Sequence, residues 1–330
     1  MKPHYTDQNG TSRPIRPELL EILCCPECKA DLHQGSSVLF CNACAMHYPI
    51  VNGIPIFVDV DSMEKEKQVL KGFYEDFGWK EDSESGMYNS PIAFGFSSEA
   101  LVHHRKLVNR AQKRHFDPEG KYFLDCASGA IPAEEYLEYS QGYDFHVCVD
   151  LAYSALCGAQ EKLGDRGLFV NADATKLPFI SDSFDAILSS HTIYHIPENQ
   201  QEIAIREFGR VLKKGKKCVV YYNVGEHSLI GIVLRPLVWV RRKYLSSHGD
   251  APPIYSYHHR WSWFSGFSDA FSQIQLSVYK LFPNQVIRYL FPTNPISNFL
   301  GRAFVNVVRY LERNRALYKI SQYVTVVFTK

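Results

Sequence analysis

Four cysteines stand in two Cys-x-x-Cys pairs, Cys25/Cys28 and Cys41/Cys44, with twelve residues between the pairs. Two such knuckles can bring four thiolates to the corners of a tetrahedron, the arrangement that holds Zn²⁺. With sulfur at every corner no position remains for water, so the ion is expected to be structural. Cys24 precedes Cys25, and a Cys24/Cys28 pairing is the alternative, although the two-residue spacing suits a knuckle better. The apolar strands beside the knuckles are too short to make a core alone. Metal binding is therefore expected to supply folding free energy to residues 18–58.

A second set of reactive groups ends successive apolar runs. Tyr122-Phe-Leu-Asp125 and His146-Val-Cys-Val-Asp150 both close on an acid, and Leu168-Phe-Val-Asn171 leads into Asp173. Acids at the C-terminal ends of parallel strands sit where open α/β sheets bind ligands. Asp150, twenty-five residues beyond Asp125, is placed to accept hydrogen bonds from ribose hydroxyls. A third set is imidazole. Ser190-His191-Thr-Ile-Tyr194-His195 follows a further apolar run, Phe184–Ser190, at the edge where two reactants would meet. His191 and His195 are candidate proton acceptors, on one face if that turn is helical. His258 and His259, beside Tyr255 and Tyr257, are weaker candidates.

These groups need a frame. The chain has 330 residues, 45% of them hydrophobic, enough for a full α/β core and a second small unit. The apolar runs alternate with helical periods, including a helix through Tyr139, one at about 153–163 and one ending near Leu212, with a fifth strand at Lys217–Asn223. That alternation argues for a parallel sheet covered by helices. Gln275–Phe282 and Gln322–Thr329 read as two more strands, separated by an insertion of about forty residues that carries Arg302, Arg309, Arg313 and Arg315.

The expected organisation is a flexible tail (1–17), a zinc ribbon (18–58) and a linker with a helical extension (59–115). An α/β domain (116–330) follows, with a cap around 226–320. Within the linker, 59–76 reads as a charged, helix-compatible connector, and Tyr88, Phe94 and Phe96 mark a loop packed on the core or a flap over a ligand. No run reaches the ~18 apolar residues of a membrane span, and the polar N-terminus lacks the apolar stretch of a secretion signal. A cytoplasmic address, with peripheral contact at the inner membrane surface as a variant of it, is expected. The nine cysteines agree with metal binding plus buried thiols better than with a disulfide framework.

The net charge of +1 conceals an asymmetry: 17 Lys+Arg against 29 Asp+Glu in residues 1–200, and 19 against 6 in residues 201–330. A basic, aromatic-rich C-terminal part suggests an anionic substrate, a membrane surface or nucleic acid; mutual neutralisation of the halves is the competing reading. Residues 229–243, apolar and ending in Arg241, Arg242 and Lys243, either touch a membrane peripherally or pack beneath the cap.

The core resembles the class I S-adenosylmethionine-dependent methyltransferases, especially the ubiquinone- and menaquinone-biosynthesis group. The likeness covers about 120–225 and rests on Leu124-Asp125, Asp150, Asp173-Ala174, Leu177-Pro-Phe179, Ser183-Phe-Asp185 and Arg206-Glu207 through Arg210-Val-Leu-Lys-Lys-Gly215. It implies a Rossmann-like, doubly wound, mostly parallel seven-stranded sheet with an antiparallel last strand. It also implies that Asp125, Ala127, Ser128 and Gly129 hold the amino-acid end of S-adenosylmethionine. Asp150 with Leu151 would bind the ribose, Asp173 with Ala174 the adenine, and Ser190 and His191 would border the methyl donor. The family's Gly-x-Gly-x-Gly turn reads Ala127, Gly129, Ile131 here, and Ile131 is expected to alter the helix entry. The Cys-Pro-x-Cys and Tyr48-Pro-Ile-x-x-Gly-Ile-Pro portions resemble the small zinc ribbons that activate tRNA and translation-factor methyltransferases, which implies a protein partner for the ribbon. The expected function is methyl transfer to a small or lipid-linked, anionic acceptor. RNA base methylation is the second reading, disfavoured by the acidic first 200 residues. A cofactor-poor regulatory or scaffold subunit acting through the ribbon is the third.

Overall fold

Seven of the apolar runs join in one sheet in the computed structural model, which describes residues 14–80, 99–233, 236, 254–282, 284–291 and 295–330. The ribbon strands come first: β1 (His33–Gln34), β2 (Val38–Phe40), β3 (His47–Val51) and β4 (Ile54–Pro55). The main sheet follows with β5 (Gly120–Cys126), β6 (Tyr143–Asp150), β7 (Gly167–Asn171), β8 (Phe184–Ser190), β9 (Leu212–Asn223), β10 (Gln273–Lys280) and β11 (Tyr323–Thr329). Its order is β10-β11-β9-β8-β5-β6-β7, and β11 runs antiparallel to both neighbours. The chain leaves β5 toward β6 and β7, then returns to place β8 on the other side of β5. That reversal puts the switch in strand order at the carboxyl ends of β5 and β8, the position where open α/β sheets bind ligands. Strands buried on both faces explain the unbroken apolar runs: in β5 every residue from Tyr122 onward is buried.

The longer helices are α1 (Lys65–Phe73), α2 (Glu99–Gln112), α3 (Tyr153–Leu163), α4 (Glu198–Val211), α5 (Asn284–Leu290) and α6 (Pro295–Leu311). Between β5 and β6 the expected α-helix is instead a 3₁₀ segment, Glu134–Ser140. Pro132, at its entry, and left-handed Ile131 (φ 50°) delay regular hydrogen bonding there. The helix-compatible connector at 59–76 does more than connect. Its helix α1, continued by a π turn at Tyr74–Gly78, buries Lys67, Leu70, Lys71 and Phe73 against the sheet's ligand edge. Tyr88, Phe94 and Phe96 lie outside the described residues, as does most of 234–243.

The ribbon is joined to the main sheet by backbone. Leu23 bridges Phe179 antiparallel and Ile56 bridges Asn171 parallel. Cys24 N–H donates to the Pro178 carbonyl at 2.9 Å, and Phe57 N–H to that of Asn171 at 2.8 Å. Leu19, Leu23, Leu39 and Tyr48 belong to the same buried cluster as Phe179 and Phe184. The ribbon thus closes the Phe179 side of the core in cis.

Candidate functional site

Each knuckle turns back on its own backbone. Cys25 N–H donates to the Ala30 carbonyl and Lys29 N–H to that of Cys25, both at 2.9 Å. The residue after each second cysteine, Lys29 (φ 59°) or Ala45 (φ 56°), takes the left-handed conformation that sharpens the turn. The four sulfurs of Cys25, Cys28, Cys41 and Cys44 lie within 4.8 Å of one another, with contacts of 3.5 Å (Cys25–Cys44) and 3.4 Å (Cys28–Cys41). The Tyr48 hydroxyl reaches Cys25 Sγ at 3.1 Å. Cys24 stays outside the cluster; burial pushes its thiol up to about 11.

In the second region the turn after β5 carries the geometry its sequence departs from. Ala127 (φ 62°), Gly129 (φ 57°) and Ile131 (φ 50°) are all left-handed. Two non-glycine residues therefore keep the alternating backbone that glycine would adopt freely, at a cost of ~1–3 kcal/mol each. The N–H groups of Ala127 and Ser128 bond the Val149 carbonyl at 2.7 and 3.2 Å and tie the turn to the end of β6.

Asp150 ends β6. Its carboxylate accepts from Gly129 N–H and Ala152 N–H, each at 2.9 Å. Burial raises its carboxyl to about 6 against the pull of those two donors, and the Glu75 carboxylate adds to the rise. Asp125, buried at the end of β5, lies 3.4 Å from His146 Nε2. Asp173 accepts from the backbone and hydroxyl of Thr175, both at 2.8 Å, and pairs with the Lys67 ammonium. Asn171 donates to the carbonyls of Asp150 and Leu151 at 2.9 Å, so the ends of β6 and β7 are cross-linked. Ala174 is nearly buried beside them, and Leu151 and Ser190 are half-buried at the rim.

The linker helix supplies groups that the sequence reading did not assign to this site. Lys67 and Lys71 share the inner face of α1. Glu75, on the following turn, accepts from Tyr153 N–H at 2.6 Å and Ser154 N–H at 2.9 Å. The residue before α3 is Ala152, which has no capping oxygen, so a carboxylate from a distant segment caps that helix. Burial opposes the charge on Glu75, but Ser154 and Lys71 hold its carboxyl below the usual range. The Trp79 ring lies over Gly129: a side chain there would meet it at 2.2 Å. The spacing of Lys67, Lys71 and Glu75 by four was the available signal: a polar stripe on one helix face.

Of the four histidines, His191 stands apart. It follows β8 directly in a left-handed conformation (φ 59°), its N–H bonded to the Tyr221 carbonyl at 2.9 Å. Its ring lies 5.3 Å from that of Tyr279 and 5.6 Å from that of Tyr323, and buried Nδ1 has no hydrogen-bond partner. Burial lowers the imidazole to about 3, and the Lys280 ammonium contributes. Residues 193–195 form only a 3₁₀ turn, so His191 and His195 do not share a helix face. His195 and His258 donate Nδ1–H to the carbonyls of Tyr255 (2.8 Å) and Asn223 (2.7 Å). His259 stacks on Trp263 at 4.1 Å and lines an open cleft of about 640 Å³ with Glu64, Glu66, Glu198 and Glu202. Tyr279 and Lys280, at the carboxyl end of β10, and Tyr323, at the start of β11, complete the His191 side. Lys280 is buried, which lowers its ammonium to about 8, while Glu312 pulls the other way. The strand order that brings these ends together was not readable from the local sequence.

Comparisons with known proteins agree with these two regions. The methyltransferase-domain family model matches residues 124–220, and the Trm112p-like protein model matches residues 16–53. Demethylmenaquinone methyltransferase of Clavibacter sepedonicus is 35% identical over 103 residues, covering 31% of this chain and 40% of that protein. A ubiquinone/menaquinone biosynthesis C-methyltransferase of Agrobacterium fabrum is 33% identical over 111 residues, 32% of this chain and 41% of that protein. The chain thus spans about two fifths of these relatives' length. A UPF0434 protein of Burkholderia thailandensis is 43% identical over 56 residues, 16% of this chain and 76% of that protein. Among solved structures, a complex of the Haloferax volcanii Trm112 methyltransferase activator with a methyltransferase matches at TM-score 0.45 and 17% identity, over 69% of this chain and 90% of that one. The chain thus carries a methyltransferase domain over residues 124–220, on the seven-stranded sheet, and a Trm112p-like domain over residues 16–53, which hold the cysteine ribbon.

Proposed function

We propose that the chain transfers a methyl group from S-adenosylmethionine to a small or lipid-linked acceptor with anionic character. The observation that carries this reading is the set of three carboxylates, Asp125, Asp150 and Asp173, around a turn whose positions 127, 129 and 131 are all left-handed. That backbone is what close approach of a nucleoside ligand needs, and the lost glycines do not remove it. It weighs against a cofactor-poor scaffold.

S-adenosylmethionine supplies an electrophilic methyl on a sulfonium, displaced in line by the acceptor. The chain's own contribution is placement. Asp150 accepts from ribose hydroxyls, Asp173 from the adenine amino group, and Asp125 with the 127–129 backbone faces the amino-acid end. His191, neutral at physiological pH, presents Nδ1 as a hydrogen-bond acceptor toward the acceptor's proton. Tyr279 and Tyr323 wall off water, and Lys280 is the cation nearest an anionic acceptor on this side.

Zn²⁺ fits the ribbon. A tetrahedron of thiolates at ~2.3 Å from the ion has sulfur–sulfur edges of roughly 3.8 Å, and the four sulfurs already lie at that scale. Zinc would hold the two knuckles together, with Tyr48 as a hydrogen-bond donor to Cys25.

Methyl-tritiated cofactor offered with separated lipid and RNA fractions tests the acceptor. Label is expected in the organic phase and lost with His191→Ala. Label in RNA would instead select the base-methylation reading.

A further inference from the structure

Helix α6 is apolar on two opposite faces. One face is packed: Val305 and Val308 are buried, and a side chain at Gly301 would meet Ala100 of α2 at 2.9 Å. The other face is open. Ile296 is 74% exposed, Phe299 73%, Val307 60% and Tyr310 70%, with Leu300 and Leu311 about half exposed. Their spacing by three, four and seven makes one continuous stripe along a helix of 17 residues, roughly 25 Å long. A helix in water normally turns charged residues to that side. Leu229, Ile232 and Val233 of helical residues 229–233 are exposed as well. Their neighbour Ile230 packs in the same small cluster as Val308 and Phe304, so the two apolar surfaces adjoin.

Charge selects the occupant. Within residues 295–319 the exposed charged side chains are Arg302, Arg313, Arg315 and Lys319, while the single acid, Glu312, is buried beneath Arg309. The Arg313 guanidinium sits 6.0 Å from the Tyr310 ring, on the rim of the stripe. Elsewhere in the basic half several cations are paired internally, as in Lys213–Asp185 (2.8 Å), Lys216–Asp117 (2.9 Å) and Lys330–Asp182 (2.7 Å). Of the four exposed cations, Arg302 pairs with Glu99 at 3.7 Å, while Arg313, Arg315 and Lys319 follow the stripe in sequence and have no ion-pair partner among the described residues. Among the described residues no helix is long and apolar enough to cross a membrane.

We propose that this face docks on an anionic lipid bilayer, with α6 lying in the interfacial plane, its stripe among the acyl chains and its arginines against the headgroups. Docking goes beyond the methyl-transfer reading and stands without it. It also sets the bilayer close to the candidate reaction edge. Arg309, on the inner side of α6, reaches the Tyr279 carbonyl at 3.4 Å, and the Tyr279 ring borders His191.

The test is co-sedimentation of the full chain with vesicles of equal phosphatidylglycerol and phosphatidylcholine, against vesicles of phosphatidylcholine alone. Two variants accompany it, one with Ile296, Phe299, Val307 and Tyr310 all changed to Ser, the other Arg313→Glu with Arg315→Glu. The wild type is expected to favour the anionic vesicles at least tenfold. Each variant is expected to lose that binding tenfold or more while keeping the wild-type melting temperature and mass in solution. Wild-type protein that stays in the supernatant, or variants that bind as it does, would overturn the proposal. So would a serine variant that melts more than about 5 °C lower, because the chain itself would then cover the face. A wild-type dimer that the serine variant dissociates, without vesicle binding, would make the occupant a second copy.

Discussion

Asp150 is where backbone and ligand compete for one carboxylate. It holds the Gly129 and Ala152 amides and is also the candidate for ribose hydroxyls, with a carboxyl raised to about 6 by burial. Protonation removes acceptor capacity, so affinity for S-adenosylhomocysteine is expected to fall as pH drops below 6 and to level off above it. Titrations from pH 5 to 8 check this; a flat profile would place the ribose elsewhere. At Ala127 the strain is local, because the methyl gains little from its half-buried position. Ala127→Gly is expected to stabilise by ~0.5–1 kcal/mol, the relief of a left-handed alanine less the added chain entropy, and a lower melting temperature would count against it. The acids were legible in the sequence because each ends an apolar run. The left-handed conformations of Ala127 and Ile131 were not, since neither residue type favours positive φ, and that of His191 depends on its place just past β8.

Elements explain what the residues could not announce. Helix α1 reads in sequence as a charged, helix-compatible connector because its apolar positions are few, yet Lys67 pairs with Asp173 and Glu75, held by Lys71, caps the start of α3. Lys67 occupies the carboxylate expected to take the adenine amino group. Lys67→Met is therefore expected to tighten S-adenosylhomocysteine binding several-fold, by calorimetry, and weaker binding would mean that Lys67 itself helps to hold the cofactor. Glu75→Ala uncaps α3 and is expected to cost about 1–2 kcal/mol of stability in denaturant titration. The buried stretches of the strands were legible, because a run buried on both faces leaves no polar interruption, whereas β6 and β9 start three and five residues earlier than expected, at Tyr143 and Leu212, in polar sequence. The segment after β5 was misread as an α-helix: its apolar spacing allowed one, but Pro132 and the bend at Ile131 leave only a 3₁₀ turn.

At the scale of the molecule, the ribbon and the main sheet share one core. Chelation of the ribbon's metal is expected to lower the melting temperature of the whole chain by more than about 10 °C in one cooperative transition; two separate transitions would mean that the ribbon folds by itself. Cis docking was beyond the sequence, since the Leu23–Phe179 and Ile56–Asn171 bridges join positions more than a hundred residues apart. Acid sensitivity is also a property of the whole. Burial lowers His191 to about 3 and His115 and His195 to about 4, so near pH 5 the unfolded chain carries their protons and the native chain does not. Asp150, raised to about 6, offsets one of the three. The unfolded state binds more protons, so stability rises with pH and falls on acidification from 6.5 toward 4, by ~2–3 kcal/mol per unit near pH 5. Melting curves across that range would show it.

The central claim, that the strand ends around the 127–131 turn form a cofactor site, is tested most directly by calorimetric titration of the metal-loaded protein with S-adenosylhomocysteine, with Asp150→Ala as control. The account predicts micromolar binding that weakens at least ~30-fold in the variant, the loss of hydrogen bonds to a charged acceptor. No binding to folded wild-type protein, or equal binding to the variant, would contradict it.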